Sequence, residues 1–443
     1  MDVTATRRLV PLAVVIALAL VAAGGAALGL AQAPSVSKPT VGRVRTAPVA
    51  PPTAPTITTT PPPTAPPAPS LRLGTVAFFD PQHGYGVFTR TDGPTCTALV
   101  GPTGDGGADF AALVSVTSWP CGWSAPATSL AFDDHGDGFL YGPGLFVTHD
   151  AGATWSPNSQ PGQVLSVEAL GESVWMVEAD CPGGQGSQLC PIALLESTDG
   201  GRTWSPSPSL PPGATGEPYT GGAQDQTPLV RVSVRSAYLV TNPGLGNPPQ
   251  PARLWFTSDG GASWSARSPQ CAAGPYSTVL SAAPDGTLWS ACADEPGAGF
   301  QSKVVARSFD GGRTWITETE ADCLQPPSPQ VAPACRTLDS GYLGGVDAVS
   351  ATRAFMVGDR LPLLVTNDGG ETWTATAPGG SGGGSAHVIF FDADHGLVLG
   401  DDPNNDEIPT LWTTSDGGQH WSSVMPSAAS AVTGNVGKAR PPL

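Results

Sequence analysis

The chain has 443 residues and a formal net charge of −17, with Gly 56, Pro 48, Cys 8 and 13% charged residues. Residues 1–70 carry five basic residues and one acidic, which leaves −21 on residues 71–443, where Lys303 and Lys438 are the only lysines. Such a surface repels phosphate backbones and argues against a nucleic-acid partner.

At the N-terminus, Arg7 and Arg8 precede an apolar run of 22 residues, Leu9–Leu30. That length can cross a bilayer as a helix. Ala31-Gln32-Ala33 fits a small-x-small signal-peptidase site, while Pro34 directly after it opposes cleavage. Residues 1–33 are therefore a cleaved signal peptide or a signal-anchor helix that keeps the chain on the membrane. Either way the two arginines place the rest outside the cytoplasm, secreted or anchored. No cysteine near the end of the run offers a lipid attachment. Residues 34–70, as in Thr58-Thr-Thr-Pro-Pro-Pro-Thr-Ala-Pro-Pro67, cannot bury a core and read as a disordered Pro/Thr-rich stalk.

From residue 71 to 426 one eight-residue pattern, Ser/Thr-x-Asp-x-Gly-x-Thr-Trp, organises the chain. It stands at Thr148–Trp155, Ser197–Trp204, Thr257–Trp264, Ser308–Trp315, Thr366–Trp373 and Thr414–Trp421, with His420 replacing the threonine in the last. A degenerate copy, Thr103–Phe110, precedes them. The aspartates Asp105, Asp150, Asp199, Asp259, Asp310, Asp368 and Asp416 are 45, 49, 60, 51, 58 and 48 residues apart, a period of repeat architectures. Asp followed by glycine suits a tight turn, the carboxylate accepting backbone N–H groups while glycine takes positive φ. Trp155, Trp204, Trp264, Trp315, Trp373 and Trp421 then begin the next strand and are expected to be largely buried between layers. Short apolar runs between the copies, without helical period, give four strands per unit. In the third unit these are Val164–Leu170, Ser173–Val177, Ile192–Glu196 and Trp204 onward; in the sixth, Val346–Ser350, Ala354–Gly358, Leu363–Thr366 and Trp373 onward.

These repeats resemble Asp-boxes, the bacterial neuraminidase repeats, over residues 71–426. The resemblance implies an all-β fold: a seven-bladed β-propeller of four-stranded antiparallel blades, with each box joining the third and fourth strands. A second motif, Phe78-Phe-Asp-Pro-Gln-His-Gly-Tyr-Gly-Val87, returns as Phe390-Phe-Asp-Ala-Asp-His-Gly-Leu-Val-Leu399 and, shortened, as Phe132-Asp-Asp-His-Gly136. It resembles the blade opening of the photosystem II stability/assembly factor family; the sortilin-type receptors share the scaffold. The likeness concerns the scaffold and implies no photosynthesis. His83 and His395 read as turn residues before glycine, with a ligand role the other reading. Residues 427–443 have no periodicity and read as a loose tail, and the whole as a monomer.

On that map the boxes share one face with the His-Gly turns, and the loops after each second strand share the other face with the connections between blades. All eight cysteines fall on the second face, which makes the neighbour pairs Cys96–Cys121, Cys181–Cys190, Cys271–Cys292 and Cys323–Cys335 natural; a zinc site is the rival, without any Cys-x-x-Cys. Acidic residues recur there too: Asp180, Asp294 with Glu295, Asp359 beside Arg360, and Asp401 with Asp402. They are either a solvated rim or a negative mouth for a cation or a basic partner. Asp401-Asp-Pro-Asn-Asn-Asp-Glu407 gathers calcium-type oxygen ligands, with Asp401, Asp402 and Asp406 as candidates, but lacks EF-hand spacing. No other cofactor is indicated.

Two function classes follow. A non-enzymatic protein-binding or assembly scaffold fits an exported, stalked propeller with no catalytic signature. The alternative is a glycoside hydrolase or glycan-binding propeller, sialidase-like or xyloglucanase-like, in which Asp294 and Glu295 would supply carboxylates and Trp119 and Trp123 a sugar platform. A sialidase should carry Arg-Ile-Pro before its first box and two further arginines; the nearest string, Asp359-Arg-Leu-Pro362, stands in the sixth unit. The scaffold is the preferred reading, with a protein partner expected ahead of a glycan.

Overall fold

A computed structural model describes residues 70–125, 128–181, 190–207, 209–216, 229–241, 252–268, 277–293, 297, 301–317, 341–376, 385–402, 405–424 and 427–428. The chain divides into two units, and the first, Met1–Thr64, lies wholly outside these residues, as do the expected N-terminal helix, the stalk up to Pro69 and the tail beyond Ala428, while Ser70 already belongs to the first strand. Among the described residues no helix is long and apolar enough to cross a membrane.

The described strands form seven four-stranded antiparallel blades, a seven-bladed propeller. Blade 3 is typical: Gln163–Leu170, Ser173–Ala179, Cys190–Ser197 and Ser205–Pro206 pair in chain order. Its second strand is apolar on both faces, with Val174, Trp175, Met176 and Val177 buried, because neighbouring blades cover both sides. The fourth strand is short and exposed. In blade 6 the strands are Gly345–Ala348, Ala354–Gly358, Leu361–Thr366 and Thr374–Ala375, within two residues of the expected bounds at most ends.

First strands Ser70–Phe78, Ser129–Phe132, Gln163–Leu170, Leu229–Arg231, Ser277–Ala282, Gly345–Ala348 and Ser385–Phe390 each touch the first strands of both neighbours, the last with the first. The ring therefore closes. His387 Nε2 stands 3.2 Å from Thr75 Oγ1 at the seam, and Ser427–Ala428 pairs in parallel with Asp109–Phe110. Seven hydrophobic clusters lie between adjacent blades, one per interface.

Polar bonds reinforce the same interfaces. Tyr85 Oη donates to Ala151 O between blades 1 and 2, and Arg202 pairs with Asp137 between 2 and 3. Arg231 donates to Glu168 O and Ser173 O, Arg267 to Gly311 O, Arg307 to Ala351 O, and Arg353 to Ala393 O, each reaching a neighbouring blade. Inner strands are edge strands, so some of their N–H groups need partners outside the sheet. Ser281 Oγ accepts Ala348 N at 3.1 Å, and Asp347 Oδ2 accepts Phe390 N at 2.7 Å. Glu168, Ser281 and Asp347 share one register, opposite Trp175, Trp289 and Phe355 on their second strands.

The eight-residue repeat forms the turn between third and fourth strands in every blade. In blade 3, Ser197 Oγ donates to Asp199 Oδ1 at 2.7 Å and accepts Gly201 N at 2.8 Å. Thr203 then donates from N and Oγ1 to the two oxygens of Asp199 at 2.8 and 2.6 Å. The Thr203 hydroxyl and N–H hold the Asp199 carboxyl well below the usual carboxylate range. In the last copy His420 Nδ1 replaces the threonine hydroxyl, 2.6 Å from Asp416 Oδ2; in the degenerate first, Asp109 N still reaches Asp105 Oδ1 at 3.0 Å. The six tryptophans and Phe110 each enter the cluster shared with the preceding blade. Trp373 is buried and Trp155, Trp204, Trp264, Trp315 and Trp421 are half-buried, none of them exposed, so the expected burial is complete at Trp373 and partial at the others.

Candidate functional site

Antiparallel order sends the repeat turns and the first-to-second-strand turns to one end of every blade. They bond to each other there: Gly106 N to Gln82 O, Gly200 N to Glu172 O, Gly369 N to Thr352 O and Gly417 N to Asp394 O. This turn face is largely committed to internal bonds, and the arginines that staple the blades lie near it. The opposite end, the loop face, carries the second-to-third-strand loops and the connections between blades, and it is the candidate binding surface.

In blade 1 the Cys96–Cys121 disulfide ties the start of the third strand, Thr95–Thr103, to the chain leaving the fourth, and Cys121 N donates to Pro94 O at 2.8 Å. Trp123 follows in the same turn and is 75% exposed, whereas Trp119 packs into the cluster between blades 1 and 2. The two rings therefore do not form a shared platform. In blade 3 the Cys181–Cys190 disulfide closes the second-to-third-strand loop, and Thr215–Gly216, from the connection to blade 4, pairs with Cys190–Pro191 over it. Cys292 of blade 5 is also disulfide-bonded, so among the described residues no cysteine is free, and its partner is a cysteine outside them. Cys271, Cys323 and Cys335 lie outside the described residues.

Blade 5 adds a feature that sequence reasoning missed. Lys303 is fully buried, and its Nζ donates to Gln301 O at 2.9 Å and Gly341 O at 3.0 Å. Gln301 Oε1 accepts Leu343 N at 2.7 Å, so blades 5 and 6 are tied together beneath the loop face. A buried lysine costs several kcal/mol unless its donors are met. Its one signal in the sequence is that it is the sole lysine between residues 71 and 437.

The acidic candidates are spread out. Asp180 is exposed in blade 3, next to the Cys181–Cys190 bridge, with its N–H on Pro191 O. Asp359 and Arg360 are exposed in a two-residue turn of blade 6, three blades away. Arg360 takes φ 55, the left-handed region, and its guanidinium lies 5.9 Å from the Tyr342 ring. Asp294 and Glu295 lie outside the described residues. Asp401, Asp402 and Asp406 are placed only as backbone, in the paired strands Gly396–Asp402 and Asn405–Thr414, so the calcium reading is not decided by them. Polar groups also lie buried in blade 3 without a partner among the described residues: the Gln163 amide, Ser166 Oγ and Glu178 Oε2, with burial pushing the Glu178 carboxyl up.

His83 and His395 are turn residues, each bonded through Nδ1 to its own Asp80 or Asp392. The shortened motif needs a correction. Phe132 pairs with Gly138 as Phe78 does with Gly84 and Phe390 with Gly396, so the blade 2 turn has the same length. Asp137, not His135, stands where the other two blades place histidine.

No family model matches the chain. It is similar to the photosystem II assembly lipoprotein Ycf48 of Synechococcus sp. (strain CC9902), 26% identical over 308 residues that cover 62% of this chain and 82% of that protein. Among solved structures it is similar to Ycf48 from Cyanidioschyzon merolae, 19% identical with a TM-score of 0.43, covering 68% of this chain and 86% of that one. A structure of Ycf48 bound to D1 peptide gives 20% identity and a TM-score of 0.45, over 68% and 82%. The Niastella koreensis GH74 enzyme gives 13% identity and 0.46, over 82% and 60%.

Proposed function

We propose that this propeller is a non-enzymatic protein-binding or assembly scaffold that works outside the cytoplasm, held on its stalk, with the loop face as the binding surface. The observation that carries the reading is the 26% identity, over 308 residues, to a protein named for assembly. We read the seven repeats as structural Asp-boxes, since their carboxylates are bonded within their own turns. Loops on a rigid scaffold are where binding commonly resides, and disulfides limit the ordering entropy of such loops on capture. The net charge of −21 on residues 71–443 favours a basic protein segment as partner, with association that weakens as salt rises. Asp180, Asp294, Glu295, Asp359, Asp401 and Asp402 are the proposed contacts, with Arg360 at their edge.

The test is an immobilised chain probed with peptide arrays of graded charge. Basic peptides should be retained at low salt and released at high salt. Joint replacement of Asp180, Asp294, Asp359 and Asp401 by asparagine should abolish capture while leaving the thermal transition nearly unchanged. Capture that survives this replacement sinks the surface assignment. Robust glycoside hydrolysis, lost on mutating a loop-face carboxylate, sinks the scaffold reading.

A further inference from the structure

Three first-to-second-strand turns share one frame, and one of them breaks its internal pairing. In blade 1, Asp80 Oδ1 accepts Gln82 N and His83 N at 2.7 and 2.9 Å, and Oδ2 meets His83 Nδ1 at 2.9 Å. Blade 7 repeats this with Asp392 and His395, Oδ2 to Nδ1 being 3.0 Å. In blade 2 the capping carboxylate is Asp133, one position earlier in the turn than Asp80 and Asp392 in the register of the flanking strands, and its Oδ1 accepts His135 N and Asp137 N at 2.9 and 2.8 Å. No histidine reaches its other oxygen. The residue in that place is Asp137, itself held by His149 and Arg202. Among the described residues Asp133 Oδ2 has no hydrogen-bond partner, though it is buried and its residue is only 3% exposed. An unmet buried acceptor is unfavourable.

We propose that Asp133, Asp134 and His135 form a site for one divalent transition-metal ion of the zinc class, on the turn face of blade 2. Each residue offers a ligand atom, and the three atoms lie within 4.8 Å of one another. Tetrahedral ligands about 2.1 Å from a metal stand ~3.4 Å apart, so the three atoms must draw together by up to roughly 1.4 Å to close the site. Asp134 and His135 can supply this movement, being exposed and paired only with each other, Nδ1 to Oδ1 at 2.8 Å. Opposite stands Gly171, where even a Cβ would come within 3.6 Å of the His135 ring. The ion gives Asp133 Oδ2 the positive counterpart that histidine gives in blades 1 and 7. One imidazole, two carboxylates and water complete a tetrahedral set, whereas calcium asks for six to eight oxygens.

The untagged full chain, stripped with chelator, is titrated with Co²⁺ and then Zn²⁺. One Co²⁺ per chain should bind, zinc should displace it, and equal Ca²⁺ should not. Asp133→Asn, which keeps the Oδ1 acceptor, and His135→Ala, at an exposed position, should each weaken binding at least tenfold. His83→Ala and His395→Ala should leave it unchanged. If Asp133→Asn fails to fold, Asp134→Asn with His135→Ala decides the matter. Absence of Co²⁺ binding at millimolar concentration overturns the proposal. So does wild-type affinity in the His135→Ala variant, or an equal loss in His395→Ala.

Discussion

Asp347 should make the ring's closure weaken as pH rises, and the structure sets the size of the effect. Its Oδ2 accepts Phe390 N at 2.7 Å, linking the first strands of blades 6 and 7. Burial pushes the carboxyl up from an ordinary 3.8 to about 6, and the Phe390 N–H only partly opposes this. A carboxyl whose folded pKa exceeds its unfolded one keeps its proton longer in the native state. Its contribution is therefore complete below about pH 4 and is lost as pH rises through about 6. A shift of two units corresponds to about 3 kcal/mol, which the partial exposure of this side chain trims to roughly 2. Asp347→Asn keeps an oxygen acceptor for Phe390 N–H and carries no charge. Urea unfolding at pH 4, 5, 6 and 7 should find the two proteins close at pH 4, with the variant ahead by roughly 2 kcal/mol at pH 7. Parallel pH profiles for the two proteins would refute the reasoning, because the variation would then come from other groups. Glu168, raised by burial to about 7 against the pull of Arg231, acts in the same direction over a higher window.

Gly138→Ala should destabilise blade 2 by about 1–3 kcal/mol in thermal unfolding, since a Cβ there would stand 2.3 Å from the Phe132 ring. Replacing Cys96 and Cys121 by serine should cost about 3 kcal/mol in the chain-entropy model, and slightly more than removing Cys181–Cys190, because the loops close 25 and 9 residues respectively. Non-reducing peptide mapping should recover both bridges and pair Cys292 with Cys271; Cys292 found with Cys323 or Cys335 would contradict the neighbour rule.

What the sequence made legible was what depends on neighbours along the chain. The repeat turn is closed by Ser197, Asp199, Gly201 and Thr203, all within seven consecutive positions, so its residue types announce its bonds. The period then implies the ring, and the strand order implies which cysteines share an end. Contacts across blades were not legible. Nothing local in Val-Asp-Ala marks Asp347 as the acceptor for Phe390, and nothing near Lys303 names Gly341. The His-Gly string of blade 2 misled for a related reason. Its register is set by Phe132 lying over Gly138, a cross-strand contact, and not by the histidine.

The two faces differ in how freely they can change. On the turn face most polar side chains already have partners within the fold: the repeat aspartates hold their own turns, and Arg267, Arg307 and Arg353 hold the next blade. A substitution there is felt as lost stability before it is felt as altered binding. On the loop face Asp180 and Asp359 are exposed, and Trp123 stands out beside a covalent bridge, so exchange there leaves the sheets intact. Disulfides suit this division, since they fix loops that have too little apolar surface to pack themselves. Asp133 Oδ2 is one of several buried polar atoms without a hydrogen-bond partner among the described residues, and an ion is the simplest species that satisfies it without rebuilding the turn.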